Sequence, residues 1–349
     1  NIGITAGLEC TAIPHKWVEG MNQMDLNIVP SNFVKQSVTS TSFDVMDEQT
    51  KQLKGRIKVE KPVEVLFEGT DTNIFKQTKE FSELFVKEMK NVKESFNFLY
   101  TGHWLQGKLG EDRKDTGMLV KVFLETFKDK KNAPGLIMKT SGAGFSVIDR
   151  EDILKKIRTI KNTVKAKTLP SVYLLHGDFT DDEMNELYNH PKVKAHVNIT
   201  HGEGFGRPLL EASISGKPVI ASNWSGHLDF LSKELAILVG GKLSQVPKSS
   251  FPKDMHIEGT EWFTVNYNEF SAVLREVHKN YKKYTLNSLK LSKINKSLYS
   301  LDKMTKELGV MLDKYVPEFP KEVKLELPKL KKVGQSETPK MKLPKLKKV

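Results

Sequence analysis

Two glutamates eight positions apart, Glu203 and Glu211, flank a turn with a glycine at every second position. These glycines are Gly202, Gly204 and Gly206. A residue without a Cβ lets the backbone turn tightly and approach a ligand closely. Pro208 follows, and proline suits the first turn of a helix because no amide donor is needed there. The segment therefore predicts a helix N-terminus whose free amides and dipole form an anion site between two carboxylates.

The two carboxylates indicate what kind of anion this turn would hold. A simple phosphate site needs no acidic side chains, whereas the hydroxyl groups of a nucleotide sugar need hydrogen-bond acceptors. For each residue alone an alternative stays open: Glu203 would favour the helix dipole, and Glu211 would be a solvated helix residue. Taken together with the glycines, the pair favours a nucleotide sugar.

Strand and helix patterns alternate along most of the chain, and the glycine-rich turn directly follows one apolar strand. This alternation predicts βαβ units and a parallel sheet, in which ligands bind at the carboxyl ends of the strands. The strand candidates are Leu26–Pro30, Val63–Phe67, Phe96–Tyr100, Gly135–Lys139, Ser171–Leu175, Ala195–Ile199, Pro218–Ala221 and Leu235–Val239. The helix candidates are His15–Met24, Asp115–Lys128, Arg150–Lys161, Asp181–Asn189, Pro208–Ser215 and Asn268–Tyr284.

We therefore expect an α/β fold with one complete doubly wound, Rossmann-like domain and part of a second domain. Six strand candidates lie between Phe96 and Val239, whereas only two or three elements precede residue 70. Asp44–Glu60 is charged and weakly periodic and is predicted to be an exposed insertion. Lys76–Ser95 is predicted to form an amphipathic helix. Its apolar face would consist of Phe81, Leu84, Phe85 and Met89.

Composition narrows the class of protein. The chain has 349 residues, 38% of them hydrophobic and 28% charged, which excludes a wholly disordered chain. No window approaches the ~18 uncharged apolar residues that a membrane-spanning helix needs. The single cysteine, Cys10, excludes an internal disulfide framework and a cysteine-rich zinc site, and it fits a reducing compartment.

Much of the net charge of +12 comes from Pro317–Val349, which holds ten lysines and four glutamates. This segment repeats Leu-Pro-Lys-Leu-Lys-Lys-Val at 327–333 and 343–349, and its five prolines exclude a long helix. We predict a solvated, disordered tail. The alternative is a basic and apolar anchor for an anionic membrane or a nucleic acid. Because the charge is concentrated here, it does not indicate nucleic-acid binding by the folded part.

The segment from Glu203 to Ala212 resembles the donor-site signature of the retaining group 1 glycosyltransferases of GT-B fold. It reads Glu-Gly-Phe-Gly-Arg-Pro-Leu-Leu-Glu-Ala, and the likeness continues at Gly216–Ser222 and Gly226. Weaker matches follow the family's order at residues 30–33, 67–75 and 176–183. The resemblance covers roughly residues 1–285 and implies a GT-B-like fold with an N-terminally incomplete acceptor domain.

The resemblance also implies how the chain is divided. We expect a remnant of the acceptor domain, a crossover with an insertion, a donor domain, helices that pack back on the N-terminal part, and the basic tail. These are residues 1–68, 69–95, 96–265, 266–316 and 317–349, respectively.

The family's roles carry over to matching positions. Glu203 would contact the transferred sugar near its reacting carbon, and Glu211 would accept hydrogen bonds from the ribose hydroxyls. The amides that would face sugar hydroxyls and phosphate are those of Gly204, Phe205 and Gly206. The amides that would meet the pyrophosphate are those of Leu209 and Leu210.

The family also places an arginine and a lysine after the first strand of the donor domain, where they stabilise the departing diphosphate. Arg113 and Lys114 match this pair, with Lys114 in the catalytic place, although a solvated basic loop is the alternative. The family's earlier arginine is His103 here, which would be cationic only when protonated. We assign His103 and its neighbour Gly102 to donor binding, and His176 would border the nucleotide base.

Other positions near these motifs carry weaker expectations. His201 replaces a small hydroxyl residue of the family, and we expect a loop histidine with satisfied hydrogen bonds. Asp229 stands where the family often has glutamate. Glu9, His15 and Trp17 are candidates for lining the cleft, with packing favoured for Trp17.

The resemblance implies a hexosyltransferase that moves a hexose from a nucleotide-diphosphate sugar with retention, by a front-face route. Neither a cofactor nor a metal is expected, because Lys114 and the helix amides would stabilise the leaving group. The acceptor, a glycan, lipid, protein or nucleic acid, stays unassigned. The alternative is a catalytically impaired binding or scaffold protein of the same fold, suggested by His103 and the short N-terminal part. We expect a cytoplasmic protein, with the tail allowing contact with a membrane surface.

Overall fold

The computed structural model describes residues 1–317 except 48, 143, 251–254 and 256. Residues Asn1–Tyr315 form one compact unit. The strands of this part are β1 (Ile2–Ile4), β2 (Leu26–Val29), β3 (Ser42–Met46), β4 (Leu53–Lys58), β5 (Val63–Val65), β6 (Asn97–His103), β7 (Gly135–Ser141), β8 (Val172–Leu175), β9 (Val193–Asn198), β10 (Val219–Ser222), β11 (Ile237–Val239), β12 (Gly241–Gln245) and β13 (Glu261–Val265). Its α-helices are α1 (His15–Asn22), α2 (Asn32–Ser40), α3 (Glu83–Met89), α4 (Thr116–Phe127), α5 (Val147–Thr163), α6 (Asp181–Asn189), α7 (Arg207–Ile214), α8 (Tyr267–Lys279), α9 (Lys282–Leu298) and α10 (Leu301–Tyr315).

Six strands form a parallel sheet in the order β11-β10-β9-β6-β7-β8. The strand order reverses between β6 and β9, as in doubly wound folds, so the predicted fold class is confirmed. In such sheets the crevice for a ligand opens at the carboxyl ends of the two strands on either side of this reversal. Pairing of β6 with β7 runs from Asn97 and Gly135 to His103 and Ser141, which brings the last two side by side.

Helices cover both faces of this sheet because successive strand residues point to opposite faces. In β6, Phe98 and Tyr100 join the core cluster that also takes side chains from α4, α5 and α8. Leu99 points the other way and packs with side chains of α3, α6, α7 and α9. The four inner strands, β6, β7, β9 and β10, are buried on both faces, which explains their largely apolar sequences.

A second, three-stranded parallel sheet has the order β1-β2-β5. Its core includes Ile13, Val18, Val29, Val34 and Val38, which come from β2, from α1 and α2, and from the loop before α1. The predicted exposed insertion at Asp44–Glu60 is largely exposed, but it contains the antiparallel hairpin β3–β4. Weak periodicity and many charges hid this hairpin, since most of its side chains are exposed and only Phe43 and Ile57 pack against the core of the three-stranded sheet.

The long helix predicted at Asn268–Tyr284 ends at Lys279, and α9 begins at Lys282. Helix α9 packs on α7, and its Ser292 donates to the carbonyl of Ile214 at 2.7 Å. Helix α10 returns to the first lobe, the part of the chain built around the three-stranded sheet, where the Tyr315 hydroxyl donates to Glu64 in β5 at 2.6 Å. This contact joins helix α10 to the three-stranded sheet.

The helix predicted at Lys76–Ser95 is much shorter, because only Glu83–Met89 is helical. Ser82 caps this helix by accepting from the amide of Phe85. Phe85 and Met89 are buried as predicted, but Leu84 is 65% exposed, so its assignment to the apolar face is wrong.

One prediction concerns the basic C-terminal segment, and another concerns membrane-spanning helices. The disordered tail predicted at 317–349 lies, apart from Pro317, outside the described residues. Among the described residues, no helix has the length and apolarity to cross a lipid bilayer.

Candidate functional site

A cleft of about 380 Å³ opens at the carboxyl ends of β6, β7 and β9, against the loop between β1 and α1. Nine of the twelve predicted site residues line it: Gly102, His103, Arg113, Lys114, Glu203, Gly204, Phe205, Gly206 and Glu211. Leu209, Leu210 and His176 do not line it. The residues of the glycine-rich turn and of the basic loop thus meet at the place where the strand order reverses.

The glycines of the turn are needed for packing against protein. A Cβ on Gly204 would overlap the carbonyl oxygen of Ala6, and one on Gly202 would lie 2.9 Å from the carbonyl oxygen of Glu9. Gly206 has a φ of +99°, a conformation that side chains rarely adopt. Gly202 and Gly204 were expected to let the backbone approach a ligand. The β1–α1 loop instead occupies the space beside them.

Backbone amides at the start of α7 remain available as donors. Within the described residues, the N–H groups of Gly204, Phe205, Gly206 and Arg207 have no protein acceptor. The amides of Leu209 and Leu210 already donate to the Gly206 carbonyl at 2.9 and 3.2 Å, and both side chains are buried in the core. The geometry therefore favours the earlier amides of the turn as ligand donors over those of the two leucines.

Lys114 and Glu203 form a buried ion pair in which the ammonium donates to the carboxylate. Burial alone would raise the pKa of Glu203, but Lys114 and Arg113 together outweigh it and lower that pKa. Burial lowers the pKa of Lys114. The carboxylate of Glu203 raises this pKa, whereas the positive charge of Arg113 lowers it further. The carboxylate is thus held ionised beside two cations.

Arg113 forms a second ion pair, with Glu9 of the β1–α1 loop. Glu9 was a candidate for lining the cleft and does so. His15, by contrast, pairs with Glu19 on α1, and Trp17 packs against the core of the three-stranded sheet, as favoured.

Glu211 faces the cleft from α7 with its side chain only 11% exposed, so it is not a solvated helix residue. It accepts from Arg207 Nε and from the Tyr188 hydroxyl, both at 3.2 Å. Burial raises its pKa to about 7, although Arg207 and Tyr188 act in the opposite direction. Glu211 is therefore an acceptor whose charge changes near neutral pH.

His103, at the end of β6, lies 3.2 Å from Ser141 Oγ through its Nδ1. Burial lowers the pKa of His103, and the charges of Lys114 and Arg113 lower it further. The imidazole is therefore neutral at neutral pH, unlike the arginine expected from the family.

His176 lies beside the cleft, where its Nε2 contacts Asp149 at 2.7 Å and its ring meets the edge of Phe145. Phe145 and Lys139 line the cleft, and the Lys139 ammonium lies 5.4 Å from the centre of the Phe145 ring. Sequence reasoning missed Phe145 and Lys139, because these cleft residues stand outside the motifs that signalled the site. It also gave no role to Glu68, which lines the cleft and lies in the weak match at residues 67–75.

His201 is packed in a loop as expected, but its hydrogen bonds are not all satisfied, because its buried Nε2 has no hydrogen-bond partner among the described residues. Its Nδ1 lies 2.7 Å from the Phe263 carbonyl, and its ring stacks on Trp262 at 4.0 Å. Asp229 accepts from the backbone amide of Asn32 at 2.9 Å and so joins α2 to the segment after β10 instead of lining the cleft. Among the residues that the structure describes, no three His, Cys, Asp or Glu side chains are grouped as a metal site.

Comparison with known families identifies part of the chain. Residues 120–240, about a third of the sequence, match the family described as glycosyl transferases group 1. The match includes the whole segment from Glu203 to Glu211, which confirms the predicted resemblance over this part of the chain. No curated protein matches the chain in sequence.

Several solved glycosyltransferase structures share the fold. HepE from Anabaena, in complex with UDP and glucose, has a TM-score of 0.57 at 14% identity, covering 86% of this chain and 66% of HepE. Sucrose-phosphate synthase from Thermosynechococcus elongatus has a TM-score of 0.58 at 15% identity, covering 85% and 60%. A glycosyltransferase from Rickettsia africae has a TM-score of 0.59 at 16% identity, covering 91% and 71%. The chain thus spans less than two thirds of the first two proteins, and these likenesses show the GT-B fold alone.

Proposed function

We propose that the cleft binds a nucleotide-diphosphate sugar, and that the chain is the donor-binding part of a retaining hexosyltransferase. The observation that supports this most is the meeting of Arg113 and Lys114 with Glu203 and Glu211 in one cleft. Two cations and the free amides before α7 suit a diphosphate, while two carboxylates suit sugar and ribose hydroxyls. HepE, which shares the fold, was crystallised with UDP and glucose.

The proposed chemistry follows from the charges that develop during transfer. Breaking the bond between sugar and phosphate leaves positive charge on the anomeric carbon and negative charge on the diphosphate. Lys114, Arg113 and the turn amides would stabilise the diphosphate, and Glu203 would face the sugar carbon. In the front-face route, the acceptor oxygen bonds to that carbon on the leaving-group side, and its proton passes to the departing phosphate oxygen. This proposal assigns the stabilisation of the diphosphate to protein groups and requires no metal.

The proposal is tested by titrating the chain calorimetrically with UDP-, GDP- and ADP-glucose. Saturable binding of one of them is expected, and Glu211→Ala should weaken it about tenfold, or ~1.4 kcal/mol. Glu151→Ala, on the exposed side of α5, is the matched control and should bind like the parent. Absence of binding to all three nucleotides would overturn the proposal.

A second candidate is a binding protein of this fold that transfers sugar poorly or not at all. The neutral His103 favours it, because the cleft then has one cation fewer to stabilise a departing diphosphate. The two candidates differ in turnover. Release of nucleoside diphosphate from the bound sugar nucleotide supports the transferase, whereas tight binding without release supports the binding protein.

A further inference from the structure

Glu9 reaches the donor-side cleft from the first lobe of the molecule. It lies in the loop between β1 and α1, and its carboxylate accepts a hydrogen bond from the guanidinium of Arg113. Both side chains are largely buried, at 17% exposed for Glu9 and 20% for Arg113. The family resemblance assigns no role to Glu9, whereas it assigns the leaving diphosphate to Arg113 and Lys114.

The backbone near Glu9 is held by hydrogen bonds to the start of β13. The amide of Thr11 donates to the carbonyl of Glu261 at 2.9 Å, and the amide of Glu261 donates back to the Thr11 hydroxyl at the same distance. The missing side chain of Gly202 leaves the space in which Glu9 packs. The carboxylate is therefore presented to Arg113 by a tethered loop, so its pairing does not depend on a freely moving side chain at the surface.

Acidic and basic side chains line the cleft in equal number. They are Glu9, Glu68, Glu203, Glu211, Arg113, Lys114, Lys139 and Arg207. Arg113, Lys114 and Arg207 are each paired with a carboxylate of the same cleft. A diphosphate approaching Arg113 therefore meets a carboxylate that is already bound there.

We propose that Glu9 is a gate for the diphosphate: its carboxylate mimics an anion at Arg113 and is displaced when the diphosphate binds. A buried guanidinium is costly to leave without a partner, so exchanging one anion for another keeps Arg113 paired throughout. Glu9 thereby sets how tightly the cleft holds a diphosphate and ties its entry to the β1–α1 loop of the other lobe. This inference rests on the proposed function, since it takes the ligand of the cleft to be a diphosphate.

The test measures binding of inorganic pyrophosphate and of UDP to the chain and to Glu9→Gln. Glutamine keeps the shape of the side chain and can still accept a hydrogen bond, but it removes the competing charge. Pyrophosphate should bind Glu9→Gln about fivefold to tenfold more tightly, the scale of one partly screened charge interaction. Thermal unfolding of each variant verifies that it is folded.

Two further variants separate the gate from a simple change in net charge. Glu68→Gln removes a cleft carboxylate that forms no ion pair with Arg113 and should give a smaller gain. In a protein that carries Arg113→Gln, adding Glu9→Gln should no longer tighten pyrophosphate binding, because there is no guanidinium to release from Glu9.

Each outcome decides the proposal. Equal or weaker pyrophosphate binding by Glu9→Gln, a gain that persists without Arg113, or no pyrophosphate binding by any variant would overturn the gate. The expected pyrophosphate pattern without binding of UDP, GDP or ADP would support the gate while rejecting the proposed nucleotide-sugar site. The two failures are thus distinguishable.

Discussion

Lys114 and Glu203 come from two loops that follow different strands, and the ammonium of one donates to the carboxylate of the other. Lys114 lies in the loop between β6 and α4, and Glu203 lies between β9 and α7. Because β6 and β9 are neighbours at the point where the strand order reverses, their loops emerge side by side. This pair therefore joins the basic loop to the glycine-rich turn and fixes the floor of the cleft.

Removing the lysine alone should destabilise the chain strongly. Lys114→Met leaves the buried carboxylate of Glu203 beside Arg113 only, and we expect a loss of about 3 kcal/mol in the free energy of unfolding. Urea denaturation measures this loss. The double variant Lys114→Met/Glu203→Gln should recover much of it, because no unpaired charge is then buried. A double variant as unstable as Lys114→Met would show that lost packing, not charge, is responsible.

The glycine-rich turn gives a prediction about its contact with the β1–α1 loop. Gly204→Ala puts a methyl group into the carbonyl of Ala6, so the β1–α1 loop must move away. We expect a loss of about 2 kcal/mol in unfolding free energy and weaker binding of any cleft ligand. Gly20→Ala is the control, since a Cβ there meets nothing within 4 Å and alanine favours helix α1. Equal stability of Gly204→Ala and the parent would be inconsistent with this packing.

Much of this architecture could be predicted because it depends on local patterns. All eight predicted strands are present, with ends shifted by a few residues, since apolar runs buried on two faces are visible in the sequence. The hairpin β3–β4 was not predicted, because its exposed side chains carry no pattern of burial. Helix α3 was predicted too long, since only Glu83–Met89 is helical. Leu84 matches the helical spacing but faces solvent, so spacing alone did not identify the buried face.

The site was predictable where motifs mark it and not where packing creates it. Glu203, Glu211, Arg113 and Lys114 stand in recognisable segments, and the fold brings them to one cleft. The pairing of Glu9 with Arg113 joins residues 104 positions apart, across two lobes, and no spacing rule connects them. The contact of Gly204 with Ala6 was likewise not predictable from spacing. A side chain at Gly204 would overlap the carbonyl oxygen of Ala6.

The raised pKa of Glu211 predicts a pH-dependent stability. An unfolded glutamate titrates near 4.3, whereas burial raises the pKa of Glu211 to about 7 in the folded chain. Between these values the folded state keeps a proton that the unfolded state has lost, so this residue lowers stability as pH rises through the window. Glu211→Gln removes this dependence. Relative to the parent, it should gain about 3 kcal/mol between pH 4 and pH 8.

Urea unfolding at several pH values measures that difference, with Glu151→Gln, which removes an exposed carboxylate on α5, as the matched control. If Glu211→Gln and the parent have parallel profiles, Glu211 titrates at its ordinary pKa and is better solvated than the structure indicates.

His103 gives a prediction about the charge of the cleft and its ligand. Because burial and the charges of Lys114 and Arg113 lower its pKa, the imidazole is neutral at pH 7.5 and adds no attraction for a diphosphate. His103→Arg should therefore bind UDP about fivefold more tightly at pH 7.5, or ~1 kcal/mol. His103→Gln is the matched neutral control and should bind like the parent at this pH.

As pH falls through the lowered pKa of His103, the parent should gain affinity for UDP relative to His103→Gln, since only the imidazole becomes charged. Calorimetric titration with UDP at pH 7.5 and pH 5.5 measures both effects. Tighter binding by the parent than by His103→Gln already at pH 7.5 would mean that the histidine is protonated there, and the cleft would then have the cation that the family's arginine supplies.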